Sequence, residues 1–200
     1  MRYFWADPHL DREGSNVLLR PFSNKLEMSL HLIEEVNLRV RKQDQLIIVG
    51  DFADDKKPGF WRQRICCRDV WLVHGNHDPS IPQCKRVFGE HKVTLRLLTK
   101  ACGHITICNH HPELYWHKSH HGSFCLHGHV HDQRSATIET AFPGIRLLDV
   151  GVDTAKRLLG KYTCFSEQEV FGILINRPGH DHVAWYEEQR GKYAKDHAGL

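Results

Sequence analysis

Asp7-Pro8-His9, Gly50-Asp51, Gly75-Asn76-His77-Asp78, His110 and Gly128-His129-Val130-His131 each follow a run of apolar residues. Between them they offer carboxylates, imidazoles and one carboxamide, but no thiolate. Such a set suits divalent cations of hard or borderline character and points to metal-assisted hydrolysis. On an extended segment, residues two apart project to one face, so Asp7 and His9 can share a metal, and His129 with His131 can serve one ion or two adjacent ions. Asp51, after a glycine at a strand end, is placed to bridge two cations and screen their repulsion. The Asn76 side-chain oxygen suits a hard cation. Beside it, His77 can move protons near neutrality, and Asp78 can orient that imidazole and stabilise its protonated form. Glycines at 50, 75 and 128 allow tight turns next to the functional residues. His127 shares the parity of His129 and His131 and fits either a supporting or a core role.

The elements that must hold these groups read as α/β units. Residues 3–6 form a first strand. Residues 24–42 form a helix, with Asn24 and Glu27 as a capping-box pair and Leu26, Leu30, Ile33, Asn37 and Val40 on one stripe. Leu46-Ile47-Ile48-Val49 is a continuous apolar run, the pattern of a strand covered on both faces. This unit brings Asp7 and Asp51 to the carboxyl ends of neighbouring parallel strands, where α/β sheets place their ligands. A helix over 60–69 and a strand over 70–73 then lead to Asn76. The stretch with Pro79 and Pro82 reads as irregular. Strands over 104–109, 123–127 and 145–150 follow, and Ser166 with Glu169 caps a short helix running towards Leu174. Cys102, His104, Thr106, Cys108 and His110 share one strand face. Residues spaced at ~7 Å cannot all meet at one ion, so Cys102 and Cys108 read as buried thiols and only His110 as a ligand.

The 200-residue chain carries a net charge of +3 and 17 histidines, concentrated between His74 and His131. Its pI of about 8.5 falls short of the pI above ~9 typical of a dedicated nucleic-acid binder. Arg62, Arg64 and Arg68 form either a solvated helix face or a phosphate-facing patch. No apolar run approaches the ~18 residues of a membrane span. Seven cysteines without Cys-x-x-Cys spacing, after a start with no room for a signal peptide, are expected as reduced thiols of a cytoplasmic protein. Residues 1–175 are expected as one domain and 176–200 as an extension.

With this order of motifs the chain resembles the calcineurin-like metallophosphoesterase superfamily, in particular its small bacterial and phage members. Arg20-Pro21-Phe22, His111-Pro112 and the segment from Leu148 to Asp153 strengthen the resemblance, which covers residues 3–172. It implies a four-layer α/β/β/α sandwich with two mixed β-sheets. It also implies one metal on Asp7, His9, Asp51 and His131 and a second on Asp51, Asn76, His110 and His129. A hydroxide between the metals would attack phosphorus while His77 assists the leaving group. Manganese is the first choice of metal, ahead of iron, nickel or zinc. The substrate would be a phosphate mono- or diester: a nucleotide, another small phosphoester or a nucleic acid. Pro8 and Ser15 depart from the residues common in the family. Residues 113–122 should border the site, with Trp116 stacking on a base or sugar and Lys118, His120 and His121 touching phosphate. Arg20 is a further candidate contact. The alternatives are a non-catalytic scaffold on the same fold and a nuclease of the same superfamily. A metallo-β-lactamase-like enzyme would need an aspartate before His131, and the residues after Asp51 lack the longer signature of Ser/Thr protein phosphatases.

Overall fold

In the computed structural model, which describes residues 1–14, 19–53, 57–133, 137–138, 141–142 and 144–179, Leu46, Ile47, Ile48 and Val49 are all buried. Their strand, β2 (Gln45–Val49), lies between β1 (Arg2–Trp5) and β3 (Asp69–Val73) and parallel to both. The edges of this sheet are β4 (Val93–Thr94), parallel to β3, and β9 (Phe165–Ser166), antiparallel to β1. The second sheet has the order β5 (Arg96–Ala101), β6 (His104–Asn109), β7 (Phe124–His127), β8 (Leu147–Asp149), with only β5 antiparallel to its neighbour. Both sheets are therefore mixed, as expected.

Strand alternation sorts the apolar side chains into layers. Tyr3, Trp5, Leu46, Ile48, Val70 and Leu72 face three helices, α1 (Lys25–Arg39), α2 (Pro58–Arg62) and α3 (Ile81–Phe88). Phe4, Ile47, Val49 and Val73 point the other way, against Cys108, Phe124, Leu126 and Leu148 of the second sheet. Helices α4 (Val152–Leu159) and α5 (Glu167–Leu174) add Ala155, Val170 and Leu174 to this inter-sheet core. On the far side, Ile107, Cys125 and Leu147 are covered by Trp116 and Ile145, with Ile138 and Phe142 packed at the margin. Among the described residues no helix is long and apolar enough to cross a membrane.

Several local expectations are corrected. The buried face of α1 carries Met28, Leu32, Ile33 and Val36, while Leu26 and Leu30 are exposed. Asn37 instead bridges to the Arg64 carbonyl and the Cys66 amide. The reciprocal half of its cap is shifted by one residue: Asn24 accepts from Glu27, but Glu27 accepts from Ser23. The helix expected over 60–69 stops at Arg62. Arg62 turns back onto the carbonyls of Ile65, Cys67 and Arg68, and Arg64 stacks on Phe60. The stretch read as irregular holds α3, β4 and β5. Pro82 lies in the first turn of α3, where its missing N–H costs nothing, behind a Ser80–Gln83 capping box. Cys102 is exposed in the β5–β6 turn at φ +47°, whereas Cys108 is buried as expected. The Ser166–Glu169 box is present with both of its bonds. Of the expected extension, residues 180–200 lie outside the described residues, as does Ser15.

Candidate metal centre

The exits of β1, β2, β3, β6 and β7 all lie at carboxyl ends, and the two sheets bring these ends together. Asp7 N–H donates to the Gly50 carbonyl, and His9 N–H to that of Asp51. This couples the first two loops. Across the sheets, Asp7 Oδ2 accepts the His129 N–H at 2.9 Å. Asp78 secures the third loop: its carboxylate accepts amides from Gly75, Asp51 and Phe52 at 2.8–3.0 Å. That is a different task from the expected one of orienting His77. Burial pushes the Asp78 carboxyl up to about 6 despite those donors.

The ligand pairs are not built on extended backbone. Asp7, His9, Asp51, His129 and His131 all have positive φ, between +48° and +72°. For residues with a β-carbon this region is sparsely populated, and such strain concentrates at functional sites. The left-handed residues curl each loop so that alternate side chains converge, which strand parity alone would not achieve. Gly50 and Gly128 make room for this. Gly50 has φ +90°, and a β-carbon there would enter the His110 ring; one on Gly128 would lie 2.5 Å from Asp7 Oδ2.

Seven predicted ligands meet in one cluster. His9 Nε2 and His131 Nε2 face each other at 3.0 Å. Asp51 Oδ2 lies between the two halves, 3.6 Å from His9 Nε2 and 3.4 Å from His110 Nε2. Asn76 Oδ1 is 3.0 Å from both His110 Nε2 and His129 Nδ1. Asp7, His9 and His131 can each bring one ligand atom within 4.8 Å of the other two, and so can Asp7, Asp51 and His110. Asp7 Oδ1 is buried without a hydrogen-bond partner among the described residues. An orphaned carboxylate oxygen facing converging imidazoles fits a cation, because leaving it unmatched costs about 1–3 kcal/mol or more.

Electrostatics agree. Burial, reinforced by Asp149, raises the Asp7 carboxyl to about 7, and burial lowers His9 to about 2. Burial would raise Asp51 too, but the hydrogen bond and charge of His110, with His9, hold it below the usual carboxylate range. The same contact carries His110 up to about 9, against its burial.

Two of the outer ring nitrogens are anchored, as metal-ligating histidines would require. His110 Nδ1 contacts the Val49 carbonyl at 3.0 Å, and His131 Nδ1 contacts Asp153 Oδ2 at 3.1 Å. Asp153 in turn accepts both arms of Arg20, at 2.9 and 2.7 Å. Buried Arg20 also donates to the carbonyls of Asp7 and Pro8, so it braces the first loop from behind instead of facing a substrate. Asp153 was legible only as part of a recurring segment. Arg12, whose Nη1 lies 3.4 Å from His9 Nδ1, carried no sequence signal. The exposed His111, legible only through the recurring His111-Pro112 pair, has its ring centroid 4.3 Å from that of His129. His77 is exposed, its ring centroid 5.6 Å from that of His9, and its amide donates to Asp51 Oδ1. His127 is a buried residue whose Nδ1 meets the Gly128 carbonyl.

The segment 113–122 does not border the cluster along its length. β6 and β7 are parallel, so their connection must return to the opposite end of the sheet. Trp116 is buried on that path, its Nε1 donating to Ser123. Lys118, His120 and His121 surround a short 3₁₀ turn just before β7 begins, at the far edge from His110.

The family model for calcineurin-like phosphoesterases matches residues 4–193. Among solved structures, a protein of unknown function from Aquifex aeolicus is similar, with a TM-score of 0.66 and 18% identity, over 86% of this chain and 98% of that one. An uncharacterised protein from Streptococcus pneumoniae, described as a predicted phosphoesterase, matches with a TM-score of 0.37 and 19% identity, over 65% of this chain and 62% of that one. The first likeness bears on the fold alone. No curated protein matches the sequence.

Proposed function

The chain belongs to the calcineurin-like phosphoesterase family, and from that premise we propose that it hydrolyses small phosphate mono- or diesters with two divalent cations. Asp7, His9, Asp51 and His131 hold one cation; Asp51, Asn76, His110 and His129 hold the other. The observation that carries this reading is Asp51 Oδ2, placed between His9 and His110 beside the orphaned Asp7 oxygen. When bound, such ions lower the pKa of water and draw charge from the phosphoryl oxygens. Manganese is the first choice, with iron, nickel and zinc as alternatives for a mixed nitrogen and oxygen site.

The protein's own groups divide the remaining work. Asp7, His9, Asp51, His110 and His131 are buried, which excludes water and strengthens their charges. Asn76, His77 and His129 form the exposed side, where an ester arrives. His77 donates a proton to the departing oxygen from this rim. Its backbone is fixed by its amide bond to Asp51 and by Asp78 clamping the adjoining loop. Arg12, beside His9, adds positive charge for a non-bridging phosphoryl oxygen.

Hydrolysis of mono- and bis-(p-nitrophenyl) phosphate, with Mn²⁺ and after chelation, tests the proposal. Metal-dependent release of nitrophenol from either ester is expected. Absence of turnover on both with every one of the four metals would contradict it.

A further inference from the structure

A sizeable cavity lies away from the metal centre, at the opposite end of the second sheet. It has a volume of about 570 Å³ and is lined by Lys118, His121, Gly122 and Ser123 from the β6–β7 connection and by residues 102–105 from the β5–β6 turn. β6 starts at this cavity with His104 and ends at Asn109, beside the ligand His110. At ~3.3 Å per residue the two sites are therefore roughly 20 Å apart.

Its walls are fixed, while its basic nitrogens have no hydrogen-bond partner among the described residues. The β6–β7 wall is a tight turn with left-handed residues at Lys118, φ +59°, and Gly122, φ +81°. Ser123 N–H donates to the Lys118 carbonyl, and Ser123 Oγ is held between Trp116 Nε1 and the His117 carbonyl. Arg146 ties down the Gly122 carbonyl from outside. Opposite, the His104 ring lies flat on Phe124, with centroids 5.1 Å apart and planes 6° from parallel. The Lys118 ammonium and the imidazole nitrogens of His104 and His121 make no hydrogen bond with any described residue. Among the described residues no carboxylate lines the cavity; the Glu167 carboxylate beside the turn accepts the Cys102 and Arg2 amides.

Three nitrogen-bearing groups gathered on a rigid frame, with no carboxylate among the described lining residues, are preorganised for an anion. The volume exceeds that of a simple ion and falls in the range of small-molecule sites. We propose that this cavity is a second ligand site, distinct from the metal centre, that binds the phosphate group of a small phosphorylated molecule through Lys118, His104 and His121.

The test is a titration of the zinc-loaded full chain with inorganic phosphate, followed through its backbone amide resonances, with acetate as the comparison anion. Saturable shifts across residues 118–123 and at His104 are expected with phosphate. They should be separable from shifts at Asn76 and His129, which report the metal centre. Lys118→Asn suits the left-handed backbone. Combined with His121→Ala it should weaken phosphate at this cavity at least roughly tenfold, as loss of charge-assisted bonds requires, with ester hydrolysis and melting temperature unchanged. Lys118→Arg should keep the binding. Three results would overturn the proposal: no saturable shift at residues 118–123, an equal response to acetate, or wild-type affinity in the double variant.

Discussion

The two ends of the second sheet carry similar residue types under opposite conditions. At the carboxyl end, the outer nitrogens of His110 and His131 are tied to the Val49 carbonyl and to Asp153, and buried Asp51 lies beside His110. At the amino end, Lys118, His104 and His121 line an open cavity with no acid among its described lining residues. Histidine content alone therefore does not mark a catalytic site. What separates the ends is anchoring: a ligand needs its second nitrogen held and its first left facing a shared point. A group that binds a passing anion needs only a firm backbone and a free head.

Substitutions at the carboxyl end should expose this difference, starting with His77, the proposed proton carrier. His77→Ala should lower kcat by roughly a hundredfold or more, the usual contribution of a general acid, while bound metal stays at the wild-type level. The Lys118→Asn variant, at the other end, should leave kcat alone. Arg20→Ala removes the brace behind the first loop. It should destabilise the fold by about 3 kcal/mol, since breaking a buried ion pair strands its partner, and lower the melting temperature by roughly 10 °C. A raised KM with unchanged melting would instead make Arg20 a substrate contact. Asp153→Asn should weaken metal binding about tenfold or more, because a carboxylate behind a ligating imidazole raises its basicity; titration calorimetry reads this directly.

The smallest effect concerns pH. Asp7 titrates near 7 among protein groups alone and must lose its proton to serve as a ligand. His110, carried up to about 9, must lose its proton as well. Metal affinity should therefore level off only above about pH 9 and fall as the pH drops through 9 and again through 7, with proton release visible in buffers of different ionisation enthalpy.

How far the sequence could be read follows from the same physics. β1, β2 and β3 were legible because strands covered on both faces leave continuous apolar runs, and polar clusters stood at their ends. All seven ligand candidates stand together for that reason. The geometry that joins them was not legible: parity on an extended segment was the expected cause, whereas left-handed turns at Asp7, His9, His129 and His131 bring the side chains round. Leu26 and Leu30 misled because α1 carries two apolar lines, and only packing on the sheet decides which is buried. Pro82 suggested a break where it opens a helix. The destination of Lys118 and His121 depended on β6 and β7 being parallel, a long-range pairing with no local signature.

The central claim is that Asp51 joins two cation positions. Counting Mn²⁺ bound per chain by equilibrium dialysis, in the wild type and in Asp51→Asn, tests it most directly. About two equivalents are expected in the wild type, with loss of bound metal and of ester hydrolysis together in the variant. A single equivalent in the wild type, or an Asp51→Asn protein that keeps its metal and its activity, would contradict the account.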